Sequence, residues 1–363
     1  MKIAILGTRG IPARYGGFET FAEELAIRLV DRGHEVTVYC RSKNYPYVEK
    51  TYRGVRLVVL PTIQHKYLDT VFHTFLSMLH SSIQNFSVLL VCNAANSLLC
   101  IIPRLLRKKV LLNVDGIERE RKKWGRLGRV WYRMSESLST LLPNGIITDA
   151  QVIENYFLKK YNKKSFMIPY GAQTHRIGSI GILRHYQLQE DGYILYTSRL
   201  EPENNADLVI KAFEGVKTDK KLVIVGDAPY AEDYKRKLIR TKDPRIIFTG
   251  YIFGQAYLEI HSHAFCYVHA TDVGGTHPAL LDGMGLGRCV IVNGTPENME
   301  VIGEGGIVYK KNDVNDLREK LSWILKHPEA RESYRQKSRQ RVSQFYTWDR
   351  VTDQYDRLFH SLF

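Results

Sequence analysis

Glycine-rich turns and a few charged residues, placed where apolar runs end, are the features of this sequence that could do chemistry. The first apolar run empties into Gly7-Thr8-Arg9-Gly10-Ile11-Pro12-Ala13-Arg14-Tyr15-Gly16-Gly17-Phe18-Glu19. A glycine-rich loop that opens a helix offers backbone N–H groups and a positive helix end to an anion. The loop is longer than a GxGxxG dinucleotide fingerprint and lacks its spacing. Glycines that merely turn the chain are the plainer reading, and both stay open here. In the second half, Arg199 stands in Thr197-Ser198-Arg199-Leu200-Glu201-Pro202-Glu203-Asn204-Asn205, between an apolar run and an amphipathic one. The carboxyl end of a parallel strand is where open α/β sheets bind ligands, and a guanidinium there suits a diphosphate. Further on, Asp272 opens a stretch holding Gly274, Gly275, Thr276 and, eight residues after Gly274, Asp282. The paired glycines let backbone approach a phosphate. Asp282, about two turns into the next helix, can take both hydroxyls of a ribose in charge-assisted hydrogen bonds.

The elements that must position these residues read as α/β. Residues 3–6, 36–40, 55–60, 88–92, 110–114 and 146–148 are short continuous apolar runs, the pattern of parallel strands buried on both faces. Between the first two, Phe18, Phe21, Ala22, Leu25, Ala26, Leu29 and Val30 form one helical stripe that stops at Gly33. The same grammar restarts at Tyr193, with apolar runs at 194–197, 222–225, 246–249, 265–268 and 290–292. The expectation is two Rossmann-like, doubly wound domains, residues 1–172 and 193–342, joined by a Gly-rich and polar linker at 173–192. Residues 343–363 read as a C-terminal helix, with Phe345, Tyr346, Trp348, Val351, Tyr355, Leu358 and Phe359 at helical spacing.

Composition narrows the classes. A hydrophobic fraction of 44% in 363 residues excludes wholesale disorder and fills two cores. Five scattered cysteines with no CxxC pair speak for core packing in a reducing compartment, not for disulfides or zinc. The start, MKIAILG, reads as a strand and carries no signal-peptide pattern, so a cytoplasmic protein is expected. Residues 70–103 hold no Asp, Glu, Lys or Arg, yet His73, His80, Gln84, Asn85, Asn93 and Asn96 interrupt every window of the ~20 apolar residues a spanning helix needs. A buried helix followed by a buried strand is expected there.

The net charge of +14 calls for an anionic partner or a plain surface excess of Lys. Residues 119–133 hold seven Lys or Arg against one Glu. Trp124, Leu127, Gly128, Trp131 and Tyr132 form a stripe flanked by Lys123, Arg126, Arg129 and Arg133. Two readings compete: a helix packing its tryptophans into the first domain, and an interfacial helix docking on anionic lipid. Nucleic acid is not expected, because no nucleic-acid-binding module accompanies the basic residues.

Eight segments in order carry a resemblance: GTRGIPARYGGFET at 7–20, HKYLDT at 65–70, CNAAN at 92–96, NVDGIERERKKW at 113–124, IPYGA at 168–172, SRLEPENN at 198–205, VGDAPY at 225–230 and VGGTHPALLDGM at 273–284. Through them the chain resembles retaining glycosyltransferases of family four, and among these the bacterial rhamnosyltransferase branch. The resemblance implies the GT-B architecture: two Rossmann-like domains facing across a cleft, with the C-terminal helix crossing back to the first. It also implies a nucleotide-sugar donor, favoured as dTDP-L-rhamnose, and a glycan or polyprenyl-diphosphate-linked acceptor. From the basic and aromatic stretch at 119–133, an anionic membrane surface on the inner face of the plasma membrane is a further expected partner, and no cofactor or metal is expected.

By the same resemblance Gly16, Gly17 and Glu19 close over the donor diphosphate, and Asp115 faces the transferred sugar. Arg199 contacts the diphosphate, Tyr251 edges the base pocket, Gly274, Gly275 and Thr276 cradle phosphate, and Asp282 holds the ribose. Arg14, Tyr15, His65, Lys66, Lys123, Trp124 and Arg126 are the candidates for acceptor and membrane. The sequence departs from the family where Gly274 replaces a glutamate and Asp282 another, where Asn205 replaces a lysine, and where Val114 precedes Asp115. Asp272 is the nearest acid that could fill the first glutamate's role. A GT-B nucleotide-sugar epimerase and an inactive binding module remain as alternatives.

Overall fold

The computed structural model describes residues 1–14, 16–45, 49–63, 65, 68–122, 124–228 and 231–363. The chain divides into two compact units, residues 1–171 with 348–363, and residues 172–347.

In the first unit the described strands are β1 (Lys2–Leu6), β2 (Glu35–Arg41), β3 (Thr51–Tyr52), β4 (Val55–Leu60), β5 (Val88–Cys92), β6 (Lys109–Asn113), β7 (Gly145–Thr148) and β8 (Phe166–Met167). Their order is β3-β4-β2-β1-β5-β6-β7-β8, parallel throughout except for the short β3–β4 pair. Every residue of β5 is buried, as a strand covered on both faces demands. The helices are α1 (Gly17–Asp31), α2 (Leu68–Ser82), α3 (Ile101–Leu105), α4 (Arg126–Ser139) and α5 (Gln151–Tyr161).

The second unit repeats the plan with β9 (Tyr193–Thr197), β10 (Lys221–Val225), β11 (Ile246–Gly250), β12 (Cys266–His269), β13 (Cys289–Asn293) and β14 (Gly306–Tyr309), all parallel in the order β11-β10-β9-β12-β13-β14. Around this sheet lie α6 (Gly181–His185), α7 (Ala206–Glu214), α8 (Glu232–Leu238), α9 (Gly254–Ser262), α10 (Pro278–Gly285), α11 (Pro296–Ile302), α12 (Val314–Lys326) and α13 (Pro328–Phe345). The last helix, α14 (Trp348–His360), belongs to the first unit, where Tyr355 packs on Phe21 with ring centroids 5.3 Å apart and accepts a hydrogen bond from Asn113 Nδ2 at 3.0 Å.

Three expectations need correcting. Residues 173–192 are not a free linker: they hold α6 and belong to the second unit. Glu259 makes the difference, its carboxylate accepting from Ser179 Oγ and the Ile182 N–H, both at 2.6 Å. The single helix expected at 343–363 is two, α13 and α14, broken at Tyr346 and Thr347. There the Tyr346 carbonyl accepts from the Ala172 N–H at 2.8 Å instead of continuing a helix.

The uncharged segment after residue 70 forms the expected helix but buries its polar side. His73, Thr74, Ser77, Ser81 and Ser82 of α2 face inward, while Phe75 and Leu79 are exposed. Its serines bond within the helix: Ser77 donates to the His73 carbonyl at 2.8 Å, and Ser81 and Ser82 to that of Met78 at 3.2 and 2.6 Å. Among the described residues no helix is long and apolar enough to cross a membrane.

Candidate active site

Each sheet has a switch point where strand order reverses, and the loops leaving the flanking strands open a crevice there. In the first unit it lies between β1 and β5. The loop after β1 is forced into place by its neighbours. A Cβ at Gly7, where φ is +85°, would stand 2.3 Å from the Cys92 carbonyl oxygen, and one at Gly10, φ +111°, 2.6 Å from Cys40 Sγ. Two carboxylates of α1 then pin its backbone: Glu19 Oε1 accepts from the Arg9 N–H at 2.9 Å and Glu23 Oε2 from the Ala13 N–H at 2.6 Å. Glu19, expected to face the donor, is therefore buried and shapes the loop. Gly16 caps α1, Gly17 begins it, and Arg14 is exposed. His65 is exposed, its carbonyl accepting from the Asp69 N–H at 3.0 Å. Tyr15, Lys66 and Lys123 lie outside the described residues.

Asp115 follows β6 with φ at +57°, its N–H donating to Asn113 Oδ1 at 3.0 Å. Tyr170 donates to its Oδ1 at 3.2 Å, and Asp149, fully buried after β7, shares a hydrogen bond with it. Burial pushes the Asp115 carboxyl above the usual carboxylate range, against the opposing pull of Arg121. The sequence marked Asp115 but not Asp149, which lies 34 residues away and is joined to it only by the β6–β7 pairing.

In the second unit the switch point falls between β9 and β12. Arg199 follows β9, its Nη1 3.8 Å from Glu201 Oε1, and Asp272 through His277 follow β12. These two loops, brought together by the β9–β12 pairing, hold most of the donor-binding residues expected in this unit. Gly274 has φ +154°, open to glycine alone, and Gly275 and Thr276 are buried before α10. Tyr251 follows β11, donates to the Asp227 carbonyl at 3.2 Å and stacks on Phe253 at 5.4 Å. Phe253 completes a flat aromatic surface that the sequence had not singled out.

Two of the expected carboxylates have partners within the second unit. Asp282 is buried, with Oδ1 accepting from the Gln173 N–H at 2.9 Å and Oδ2 from Tyr257 at 3.0 Å. Asp272 is ion-paired with Lys311 at 3.0 Å, so it does not stand as an unpaired acid in place of the missing glutamate. Asn205, at φ +57°, donates from Nδ2 to the Ala270 carbonyl at 2.9 Å and to Asn312 Oδ1 at 3.0 Å, which locks the turn into α7. Among the described residues no group of three or more His, Cys, Asp or Glu is placed to hold a metal ion.

The basic segment 119–133 divides differently from the stripe expected. Trp124 and Gly128 turn inward: Trp124 packs at a tilt on the buried Tyr132 with centroids 5.0 Å apart, donates to Glu118 Oε2 at 3.3 Å, and lies over Gly128. Arg119 donates to Glu136 at 2.9 Å and Arg121 to Glu118 at 2.5 Å, which ties up two of the seven basic groups within the unit. Glu136 also accepts from Lys160, Tyr156 and Tyr161, and these bonds outweigh burial and hold it below the usual range. What α4 exposes is Leu127, Val130 and Met134, with Arg126, Arg129 and Arg133 beside them.

A doubly wound sheet with a glycine-rich turn at its switch point, present twice in one chain, defines the class: an α/β protein of the two-domain GT-B fold. Sucrose-phosphate synthase (tll1590) from Thermosynechococcus elongatus shares this fold with a TM-score of 0.83, over 99% of this chain and 98% of its own, at 18% identity. Anabaena Alr3699/HepE, solved in complex with UDP-glucose, gives a TM-score of 0.81 over 99% and 100%, at 15% identity. Residues 184–341 match the family Glycosyl transferases group 1, and residues 1–173 match Domain of unknown function (DUF1972). O-antigen chain mannosyltransferase B of Escherichia coli is 24% identical over 179 residues, 48% of this chain and 47% of that protein. The chain thus spans about half the length of the curated relatives it matches.

Proposed function

We propose that this chain is a retaining glycosyltransferase that moves a sugar from a nucleotide-diphosphate donor to a glycan or polyprenyl-diphosphate-linked acceptor in cell-surface polysaccharide synthesis. What carries the reading is one juxtaposition: Arg199 and the Gly274–Gly275 turn leave neighbouring strands at the second unit's switch point, inside the span matched to group 1 glycosyltransferases. A guanidinium and backbone N–H groups at a helix start are donors for a departing diphosphate. In this reading Arg199 neutralises charge as the glycosidic bond breaks, Tyr251 and Phe253 support the base, and Asp115 meets the transferred sugar. The reaction needs no metal.

Resemblance favours dTDP-L-rhamnose as donor. The curated relative is named for mannose transfer and a structural relative holds UDP-glucose, so mannose and glucose nucleotides stand beside it. The protein works on the cytoplasmic face of a membrane, with the exposed face of α4 toward anionic lipid.

The test is turnover of a nucleotide-sugar panel, followed as released nucleotide, with and without a polyprenyl-diphosphate glycan and with EDTA. Slow release that acceptor accelerates and EDTA spares supports the reading. Interconversion of two sugar nucleotides would assign an epimerase, and no turnover or binding would assign a non-catalytic module. Loss with EDTA, restored by magnesium or manganese, would overturn the metal-free mechanism.

A further inference from the structure

A second group of cations lies at the opposite end of the second unit's sheet. Arg288 stands directly before β13, Ala264 two residues before β12 and Asp191 two residues before β9, whereas Arg199 and the glycine turn follow their strands. Strands rise about 3.3 Å per residue, so roughly 15 Å of sheet separates the two ends.

Arg288 is 1% exposed, with Nη1 donating to the Ala264 carbonyl at 3.0 Å and Nη2 to that of Leu286 at 3.4 Å. Its Nε is buried and has no acceptor among the described residues. Three further guanidiniums gather beside it. Arg335 Nε donates to the Gly287 carbonyl at 3.0 Å. Arg339 lies on the same glycine: a Cβ at Gly287, where φ is +71°, would stand 2.0 Å from Arg339 Nε. Arg176 Nη2 donates to the Ser262 carbonyl at 3.0 Å, two residues before the carbonyl that Arg288 holds. Burial, then the charges of Arg335 and Arg176, push Arg288 down to about 9, and burial, then Arg335 and Arg339, push Arg176 down.

The carboxylates at hand do not balance these charges. Asp191 is shared, with Oδ2 3.3 Å from Arg331 Nη2 and Oδ1 3.9 Å from Arg288 Nη1. Glu332 pairs with Arg335 at 3.1 Å, and Glu190 lies 3.4 Å from His263 Nδ1. Capping of the carbonyls where α9 and α10 end accounts for Arg176, Arg288 and Arg335 one bond at a time. It leaves the Arg288 Nε unused, and it leaves Arg339 with neither a hydrogen bond nor an ion pair among the described residues.

We propose that Arg176, Arg288, Arg335 and Arg339 form a site for the phosphoryl group of a small soluble anion, separate from the donor crevice. Guanidinium groups match phosphate oxygens in paired hydrogen bonds, and a dianion supplies the charge that Asp191 and Glu332 do not. Arg176 and Arg339, both exposed, are the outer donors, and Arg288 adds its charge from behind. The site shares no residue with the donor reading and stands or falls without it. Once filled, it ties α13 to the turn after α10 and to the segment around Arg176, so the bound anion stabilises the second unit.

The experiment is calorimetry and thermal melting with inorganic diphosphate at about 0.1 M salt. It uses the whole chain carrying Arg199→Ala, so that the donor crevice lacks its guanidinium. Diphosphate should bind saturably and raise the thermal midpoint. Adding Arg176→Gln/Arg339→Gln should weaken binding at least about tenfold, the worth of two charge-assisted hydrogen bonds, with an unchanged circular dichroism spectrum. Adding Lys237→Gln/Lys242→Gln instead removes the same charge from exposed positions elsewhere in the unit and should leave the affinity within about twofold. Should Arg176→Gln/Arg339→Gln not fold, Arg339→Gln alone reads the same loss in smaller measure. Absence of saturable binding, or equal weakening by both pairs of substitutions, overturns the proposal. Vesicles of phosphatidylglycerol test a lipid headgroup as the source: binding to vesicles alone, lost in Arg176→Gln/Arg339→Gln, would overturn the soluble ligand and give the cluster to a membrane.

Discussion

Tyr257 donates its phenolic hydrogen to Asp282 Oδ2 at 3.0 Å, while the Gln173 N–H donates to Oδ1 of the same carboxylate at 2.9 Å. One short side chain on α10 thus ties α9 to the segment that opens the second unit. Burial, with the Asp282 charge added, pushes the Tyr257 phenol well up, which keeps it a donor. Asp282→Ala leaves two donors without an acceptor, at about 1–3 kcal/mol each for buried groups. The expected result is a thermal midpoint lowered by roughly 5–10 °C. An unchanged midpoint by circular dichroism would mean that the carboxylate is spare, and its assignment to a ribose would regain ground.

Arg199 offers the opposite signature, function without stability. It is partly exposed and its ion pair with Glu201 is loose, at 3.8 Å, so its loss should leave the fold intact. Between Arg199 and α7 the sequence offers Glu201, Glu203, Asn204 and Asn205 but no second cation that could substitute. Arg199→Ala should lower donor kcat/KM by well over tenfold, a barrier increase beyond about 1.4 kcal/mol. Retention of more than about a tenth of wild-type turnover, in a variant that melts normally, would remove Arg199 from the diphosphate site.

Two buried histidines make the second unit acid-sensitive. Burial pushes His261 down to about 3, with Arg288 adding to the effect, and burial alone pushes His269 down to about 3. In the unfolded chain both titrate near 6.5. Above pH ~7 both states are neutral and neither histidine contributes a pH dependence. Between about pH 6.5 and 3 the unfolded state binds protons that the native state does not, so stability falls with pH by about 1.4 kcal/mol per unit for each histidine. Denaturant midpoints measured from pH 7.5 to 5 should drop accordingly. His261→Gln should flatten the slope by about one proton, and an unaltered slope would refute the assignment.

The strands were legible because a parallel strand buried on both faces is written as a continuous apolar run, and β5, VLLVC, is the plainest case. Arg199 and the Gly274–Gly275 turn were legible because they follow such runs directly. What could not be read was the partner of each group. The acceptance of Tyr257 by Asp282, the pairing of Asp272 with Lys311 and the bond between Asp149 and Asp115 all join residues far apart in sequence. Sequence spacing holds no record of such contacts. The inward face of α2 was not legible for another reason: serines that bond to their own helix carbonyls are cheap to bury, so a polar stripe can face the core.

That inverted helix bears on the last prediction, reversible binding to anionic membrane. Leu127 is 87% exposed on α4, Leu105 76% on α3 and Ile83 77% at the end of α2. The three segments are neighbours: α2 packs on α3, and both α2 and α4 pack on the turn at Ala94–Cys100. Arg104, Arg107, Arg126, Arg129 and Arg133 are exposed among these apolar groups. The pattern, apolar side chains ringed by cations on a chain of net charge +14, is complementary to an anionic lipid surface. Each basic group near such a surface contributes about 1 kcal/mol. This part weakens with salt, because the Debye length falls from roughly 10 Å at 0.1 M to 3 Å at 1 M. The apolar part resists salt. In vesicle co-sedimentation, Arg126→Gln/Arg129→Gln/Arg133→Gln should lose binding at low salt. Leu127→Ser/Val130→Ser/Met134→Ser should lose the fraction that survives 1 M salt and keep the rest. Trp124→Phe should change little, because that ring packs against Tyr132. Equal sedimentation of all variants would show that this face does not meet lipid, and a concentration-dependent dimer would assign it to a second copy of the chain.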